Sequence, residues 1–190
     1  MDPDLSFENR LRRIEDTLAI QQLPIRYAIA VDERDIDAWI DLFTPDVQVG
    51  RDTYGREALR DAITSMTKHF YRSIHQIVGH RIDLVDAERA NGNVYCRAEH
   101  EVGEQWIVMA IRYDDTYRKV GGQWHFSERK ERHWYAADLT QRPESVAFSS
   151  WHMAGRANLP KSSSWEEFWA YDDVSALTSS PINSLLRSAE

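Results

Sequence analysis

A helical pattern near the start of the chain ends in Tyr27-Ala-Ile-Ala-Val-Asp32-Glu-Arg-Asp-Ile-Asp-Ala-Trp39-Ile-Asp-Leu-Phe43-Thr-Pro-Asp46, and the segment Ser73-Ile-His75-Gln-Ile-Val-Gly79-His80 opens the first long strand pattern. Asp32 and His75 are the polar positions that stand out in these apolar settings. If the fold brings the two side chains together, the carboxylate fixes the imidazole tautomer and stabilises its cation. Such a pair is a general base that needs no metal.

Helical spacing dominates the residues before this strand. A first helix is predicted from an Asp2-Pro3 start followed by an apolar stripe of Phe7, Leu11, Ile14 and Leu18. Pro24 removes a backbone donor, so we expect a kink or a break there, with a second helical piece through about residue 31. Two more helices are predicted over 36–43 and 55–71, separated by a short strand at 47–49.

After residue 71 the apolar period changes from about four to two, which indicates strands. We predict a turn at 90–93, a strand with Val94, Cys96, Ala98 and His100 on one face, a third strand over 106–117, a hairpin turn at 120–122 and a fourth strand over 123–135. His75 and His80 fall on opposite faces of a regular strand, although a bulge at Gly79 would change that.

Helices followed by a strand meander predict an α+β fold, in which N-terminal helices pack on one face of a curved, cone-shaped antiparallel or mixed β-sheet. We expect this domain to cover residues 1–137. A C-terminal extension over 138–190 is expected to pack on the same domain or on a neighbouring subunit, because it carries four large aromatic residues: Trp151, Trp165, Phe168 and Trp169.

Composition limits the possible partners. With 190 residues, 42% of them apolar, the chain is long enough for one domain with a substantial core, and its net charge of −8 argues against nucleic acid. The single cysteine, Cys96, excludes an intrachain disulfide, and no segment is typical of a secretion signal or a membrane helix. We therefore expect a cytoplasmic protein that acts on a small molecule, away from membranes, as a homo-oligomer (a dimer or trimer).

The order of these residues resembles a known family. Tyr27, Asp32, Asp35, Trp39, Leu42-Phe43 and Asp46, continued by His75 with Gly79 and by Gly121–Trp124, resemble the SnoaL-like branch of the nuclear-transport-factor-2-like superfamily over roughly residues 8–136. The resemblance implies a cone-shaped α+β barrel around an apolar pocket. The family includes dehydratases, a dehydrochlorinase, cyclases, isomerases and non-catalytic binding domains.

The resemblance also implies roles for individual residues. Asp32 and His75 stand where the dehydratases and the dehydrochlorinase have an Asp–His pair, Tyr27 where bile acid dehydratase has a catalytic tyrosine, and His100 where scytalone dehydratase has a second histidine. Arg51 and Tyr113 stand where scytalone dehydratase has a pocket tyrosine and a pocket asparagine, so the groups that would polarise the substrate differ. The implied catalytic set is Asp32, His75, Tyr27 and His100, and the implied substrate-binding set is Trp39, Phe43, Arg51, Trp106, Tyr113 and Arg129.

Several of these residues also have a purely structural explanation. Asp32 is suited to end a helix, His75 to be a hydrogen-bonded strand residue and Tyr27 to be a core residue. Arg129 and Arg132 are most simply outer-face residues in ion pairs, although an arginine that faces the cavity would hold an anionic oxygen. No metal-ligand spacing and no nucleotide-binding motif is present, so we expect neither a metal nor an organic cofactor.

The sequence thus favours a cofactor-independent lyase, of the carbon–oxygen type, that acts on a hydrophobic, hydroxylated aromatic or polycyclic compound through an Asp–His base. Elimination and carbon–carbon cleavage would use the same base. An isomerase or an aldol-type cyclase of the same fold is the alternative among enzymes. A non-catalytic binding or assembly domain is the alternative of another class.

Overall fold

The computed structural model describes residues 6–140, which form three helices and four strands. These are α1 (Phe7–Glu33), α2 (Ile36–Asp41), α3 (Arg56–Thr67), β1 (Ser73–Leu84), β2 (Arg89–Val102), β3 (Gln105–Val120) and β4 (Gln123–Asp138). The Asp2-Pro3 start and nearly all of the predicted C-terminal extension lie outside the described residues. The α+β architecture, with helices before a strand meander, is confirmed.

Helix α1 begins after Ser6, whose side-chain oxygen accepts a hydrogen bond from the backbone N–H of Asn9. Of the kink or break expected at Pro24, the break is wrong, because a single helix runs through the proline to Glu33. Residues on both sides of the proline, including Ile20 and Tyr27, are buried in the core. The packing of α1 against the core therefore outweighs the loss of the backbone N–H at Pro24. No helix within residues 6–140 combines the length and the apolar character needed to span a membrane.

The apolar stripe that predicts the first helix is not the face that the domain buries. Residues 6–15 are exposed on every side of α1, and the four members of the stripe are between 45% and 76% exposed: Phe7, Leu11, Ile14 and Leu18. The core-facing residues come later in the helix, where it reaches the sheet. The expected homo-oligomer stays a prediction.

Helices α2 and α3 form part of the wall of a cavity. Asp35 caps α2 by accepting a hydrogen bond from the N–H of Ala38 at 3.0 Å. Helix α3 ends at Thr67, four residues before the predicted end, and Thr67 bonds back to the carbonyl of Ile63 at 2.9 Å. Ile63 is buried in the core. The short strand expected at 47–49 is reduced to a single bridge between Gln48 and Tyr54.

All four strands pair antiparallel in the order β1-β2-β3-β4. Helix α1 packs against both β1 and β4, the two edges of this sheet, so the sheet curves around the helix. The hairpin turn between β3 and β4 is confirmed, and its residues Gly121 and Gly122 both have the positive φ angles that such a turn favours.

The turn predicted at 90–93 is wrong, because these residues lie inside β2. The chain reverses earlier, where the N–H of Val85 bonds to the carbonyl of Arg89 at 3.0 Å. Gly92 has a different purpose, since a Cβ at this position would lie 2.7 Å from the carbonyl oxygen of Arg81 on the neighbouring strand. The glycine permits close approach of two backbones.

Three β-bulges control which side chains face the helices. Val78 is the extra residue in β1, so His75 and His80 lie on the same inner face. Ser127 and Trp134 are extra residues in β4. Trp124 and Phe126 face inward before the first of these bulges, and the inward set between the two bulges is Arg129, Glu131 and His133. Because of the bulges, three successive inward-facing residues of β4 carry ionisable side chains.

Candidate active site

Asp32 and His75 meet at the junction of α1 and β1. Nδ1 of His75 lies 2.7 Å from Oδ1 of Asp32, and the backbone N–H of His75 donates to Oδ2 of the same carboxylate at 2.8 Å. The imidazole is 7% exposed. We call this pair the Asp32–His75 dyad. The sequence-based prediction that these two residues come together is thus met by the geometry.

Contacts at the C-terminal end of α1 hold the carboxylate of Asp32 beside His75. Arg34 ends the helix in a left-handed conformation with φ of 63°, and its guanidinium donates to the carbonyls of Val31 and Phe70 at 2.6 and 3.2 Å. The same guanidinium donates to Oγ of Ser73 at 3.0 Å, and Ser73 donates in turn to Asp32 at 2.9 Å. Asp32 is therefore held in place through its contacts with β1 rather than acting as a simple helix cap.

The hydrogen bonds also fix the charge and tautomer of the dyad. Burial alone would raise the pKa of Asp32, but hydrogen bonds from the ring and backbone of His75 and from Ser73 bring the pKa below its usual value. An ionised Asp32 accepts the Nδ1–H of His75, which leaves the lone pair on Nε2. His75 lines a cavity, so this lone pair is available for proton abstraction.

The cavity has two adjoining chambers that share Tyr27, Met66, Tyr113 and Glu131 in their walls. The dyad chamber, of about 200 Å³, is lined by His75 and His100. The arginine chamber, of about 240 Å³, is lined by Arg129. Aromatic and aliphatic side chains make up most of both walls: Tyr27, Val31, Trp39, Phe43, Val47, Val49, Leu59, Ala62, Ile63, Met66, Phe70, Met109, Ile111 and Tyr113.

His100 stands next to the dyad as a neutral group. Its ring is perpendicular to that of His75, with ring centroids 5.4 Å apart, and it packs on Phe70 at 4.6 Å. Burial, together with the nearby His75, lowers the pKa of His100 to about 4. Its Nδ1 has no hydrogen-bond partner among residues 6–140. At neutral pH His100 is therefore an uncharged hydrogen-bonding group and not a cationic acid.

Arg129 lies inside the protein, which corrects the simpler expectation of an outer-face residue. Its Nε and Nη2 donate to the two carboxylate oxygens of Asp115 at 2.8 and 2.7 Å, and its side chain is 5% exposed. The guanidinium carbon lies 4.1 to 4.3 Å from the ring centroids of Tyr27, Tyr113 and Phe126. Nη1 has no hydrogen-bond partner within the described residues. Arg132, by contrast, pairs with Asp114 as expected for the outer face.

The two tyrosines between the chambers are weak acids. Burial raises the pKa of Tyr27 to about 12, although Arg129 opposes the shift, and burial also raises the pKa of Tyr113 well above its usual value. Tyr27 lies edge-on to His75, with ring centroids 6.5 Å apart. Both hydroxyls stay protonated at neutral pH and are suited to donate hydrogen bonds.

Glu131 and His133 are cavity residues that the sequence-based prediction missed. Nε2 of His133 lies 2.6 Å from Oε1 of Glu131. Both residues line the dyad chamber, and Glu131 also lines the arginine chamber. Residues two apart share a face of a strand, so the sequence places Arg129, Glu131 and His133 on one face of β4, but it does not show that this face is the inner one.

The remaining predicted residues divide into two groups. Trp39 and Phe43 line the arginine chamber. Arg51 and Trp106 line neither chamber. Arg51 is exposed in the turn beside Gln48, and the indole N–H of Trp106 donates at 2.8 Å to Glu99. Glu99 belongs to the opposite face of β2 from His100, so Trp106 is directed away from the cavity.

A larger open groove of about 920 Å³ lies between α1 and the β3–β4 hairpin, and none of its lining residues belongs to the two chambers. Two ion pairs lie among its charged side chains, Arg56 with Asp41 and Lys119 with Asp16. Asp16 also accepts a hydrogen bond from the indole of Trp124. Within residues 6–140, no three His, Cys, Asp or Glu side chains are arranged to hold a metal ion.

Comparisons with known proteins identify the family and the fold. Residues 12–130 match the family model of the SnoaL-like domain. Gamma-hexachlorocyclohexane dehydrochlorinase of Sphingobium indicum is 30% identical over 126 residues, which are 63% of this chain and 81% of the relative. The structure of a hexachlorocyclohexane dehydrochlorinase from Novosphingobium barchaimii is 25% identical, with a TM-score of 0.63 over 70% of this chain and 96% of that one. A scytalone-dehydratase-like protein from Novosphingobium aromaticivorans shares the fold at 24% identity, with a TM-score of 0.61 over 70% of this chain and 93% of the other.

Proposed function

Since the chain belongs to the SnoaL-like family, we propose that it is a lyase in which Asp32 and His75 form the general base, without a metal or organic cofactor. The observation that carries this proposal is the 2.7 Å contact between Nδ1 of His75 and Asp32 at the wall of an apolar cavity. Burying a carboxylate and an imidazole is costly unless they are paired, and carboxyl groups with a shifted pKa, such as Asp32, are concentrated at functional sites.

The relatives support elimination as the reaction class, because a dehydrochlorinase removes hydrogen chloride from its substrate. That reaction breaks a carbon–chlorine bond. The relatives therefore do not support the carbon–oxygen subclass that the sequence analysis favours. Elimination is also the reaction that separates this proposal from an isomerase or cyclase, which would use the same base but expel no leaving group.

In the proposed mechanism, Nε2 of His75 removes a proton from a carbon atom of the substrate. Asp32 stabilises the imidazolium that forms, since its carboxylate accepts the Nδ1–H. Arg129 stabilises negative charge as it develops on the substrate, because its Nη1 is not used by Asp115. Proton transfer by a positioned base contributes about 10²–10⁴-fold in rate, and one donor to a developing anion contributes about 10²–10³-fold.

The size and lining of the chambers limit the substrate. A cavity of roughly 150 Å³ is enough to bind benzene, so chambers of about 200 and about 240 Å³ suit a compound with one or two rings. Tyr27 and Tyr113 offer hydroxyl donors where the chambers meet. We therefore propose a hydrophobic ring compound that carries a carbonyl or hydroxyl group beside the proton to be removed.

The proposal is tested with 3-chlorocyclohexanone, which gives cyclohex-2-enone on elimination. We expect the protein, dialysed against a chelator, to accelerate this reaction over the uncatalysed rate. His75→Gln and Asp32→Asn should each reduce kcat by about 10²-fold or more, and His69→Gln, which changes an exposed histidine, should not. Failure of the wild-type protein to accelerate the reaction, or wild-type rates in His75→Gln, would contradict the proposal.

A further inference from the structure

We propose that Glu131 and His133 form a second acid–base pair, which delivers a proton to the oxygen of a leaving hydroxyl group. This inference rests on the proposed elimination by the Asp32–His75 dyad and assigns its substrate class as a β-hydroxy carbonyl or a similar hydroxylated ring compound. The reaction is then a dehydration, and not the loss of a halide.

The geometry of β4 carries the inference. The bulges at Ser127 and Trp134 change the inward-facing set of the strand, so that Glu131 and His133 face the cavity. Their 2.6 Å contact allows the two groups to share a proton, and their side chains are 37% and 18% exposed. The cavity thus holds two carboxylate–imidazole pairs on different strands, one on β1 at its contact with α1 and one on β4.

Elimination of different groups makes different demands on the protein. Chloride leaves with its electron pair and needs no proton. A hydroxyl group leaves as water only if a proton reaches its oxygen while the carbon–oxygen bond breaks. A base alone is therefore sufficient for dehydrochlorination, whereas dehydration requires a base and an acid in the same cavity. The second pair in this chain meets the additional requirement.

The other ionisable groups that line the two chambers are unsuited to this task. His75 belongs to the base. His100 has a pKa lowered to about 4 and is neutral at pH 7, Tyr27 and Tyr113 have raised pKa values, and Arg129 does not release its protons in this pH range. Among the described residues of the chamber walls, this leaves Glu131 and His133.

The reaction balances with these two pairs. Nε2 of His75 takes the proton from the carbon next to the carbonyl, and the electrons of that bond form the carbon–carbon double bond. The carbon–oxygen bond breaks with its electron pair going to oxygen. Glu131, which borders both chambers, passes the proton that it shares with Nε2 of His133 to that oxygen. Water leaves. Before the next turnover His75 releases its proton to solvent and the Glu131–His133 pair takes one up from solvent.

The experiment compares two substrates that differ only in the leaving group, 3-hydroxycyclohexanone and 3-chlorocyclohexanone, which both give cyclohex-2-enone. In Glu131→Gln we expect the ratio of kcat/KM for the hydroxy compound to that for the chloro compound to fall about 100-fold. His133→Gln should lower the same ratio at least tenfold. Turnover of the chloro compound also reports whether each variant is folded. Glu128→Gln is the matched control, because this carboxylate pairs with Lys130 on the outer face of β4.

Each outcome is decisive. An unchanged ratio in Glu131→Gln, or a parallel loss with both substrates, would overturn the proton-delivery role. A wild-type protein that converts the chloro compound but not the hydroxy compound would overturn it as well, while the dyad proposal would stand. If the wild-type protein converts neither, the proposed elimination fails first and this inference fails with it.

Discussion

Arg129 is held by both carboxylate oxygens of Asp115, at 2.7 and 2.8 Å, with both side chains almost completely buried. Tyr117 donates a further hydrogen bond to Asp115 at 2.9 Å and contacts His80 at the same distance. The ion pair thus connects the arginine chamber to a buried hydrogen-bond network. Because neither charge has access to bulk water, each depends on the other.

We predict that Asp115→Asn destabilises the fold by about 3–5 kcal/mol, because it leaves the guanidinium of Arg129 buried without its counter-charge. The double variant Asp115→Asn with Arg129→Met should cost less than the sum of the two single substitutions. Urea denaturation of the four proteins measures this coupling. Additive losses would show that the two charges do not depend on each other.

The dyad is predicted to act as a unit. Asp32→Asn and His75→Gln should each lower kcat by about 10²-fold or more, and the double variant should be little worse than either single variant. The reason is that the carboxylate acts only through the imidazole that it orients. Turnover of 3-chlorocyclohexanone by the three variants is the measurement. Multiplicative losses would indicate that the two residues act independently.

Much of the fold follows from local pattern in the sequence. The period of two predicts the inward face of β2, where Val94, Cys96 and Ala98 are buried as expected. The pairing of Asp32 with His75 is different, because no local pattern specifies which distant side chains meet. It was expected from the family resemblance, which relates whole domains and so carries long-range information.

The bulges explain why the inner face of β4 is not evident from the sequence. One extra residue reverses the inward and outward sets of a strand, and the apolar pattern on either side of Ser127 or Trp134 still looks regular. Arg129 is therefore most simply read as an outer-face residue, and Glu131 and His133 pass as ordinary charged surface residues. The ionisable face of the cavity depends on two β-bulges of one residue each, and the alternation of apolar residues in the sequence does not show where these bulges lie.

Gly92 offers a test of the β1–β2 contact. Gly92→Ala should destabilise the protein by about 1–3 kcal/mol, because its Cβ would lie 2.7 Å from the carbonyl oxygen of Arg81 and 2.9 Å from the ring of Tyr117. Gly79→Ala is the matched control on the same pair of strands, since a Cβ there meets nothing within 4 Å. Thermal unfolding measures both variants. Equal stability of the two would contradict the close approach.

The stability of the fold is predicted to depend on pH through His100. Burial lowers the pKa of His100 to about 4, whereas an unfolded histidine titrates near 6.5. Between these values the unfolded chain binds more protons at this position than the folded protein does. Stability therefore falls as the pH decreases from about 6.5 toward 4, and by linkage His100 alone accounts for a loss of about 2 kcal/mol between pH 7 and pH 5.

His100→Gln removes this titration while keeping a polar side chain of similar size. Relative to the wild-type protein, the free energy of unfolding of the variant should fall about 2 kcal/mol less between pH 7 and pH 5, measured by urea denaturation. Asp32, whose pKa is lowered, loses its contribution only as the pH falls below about 4, outside this window. His69→Gln, on the exposed surface, should keep the wild-type slope. If His100→Gln has that slope too, His100 is not held neutral by burial.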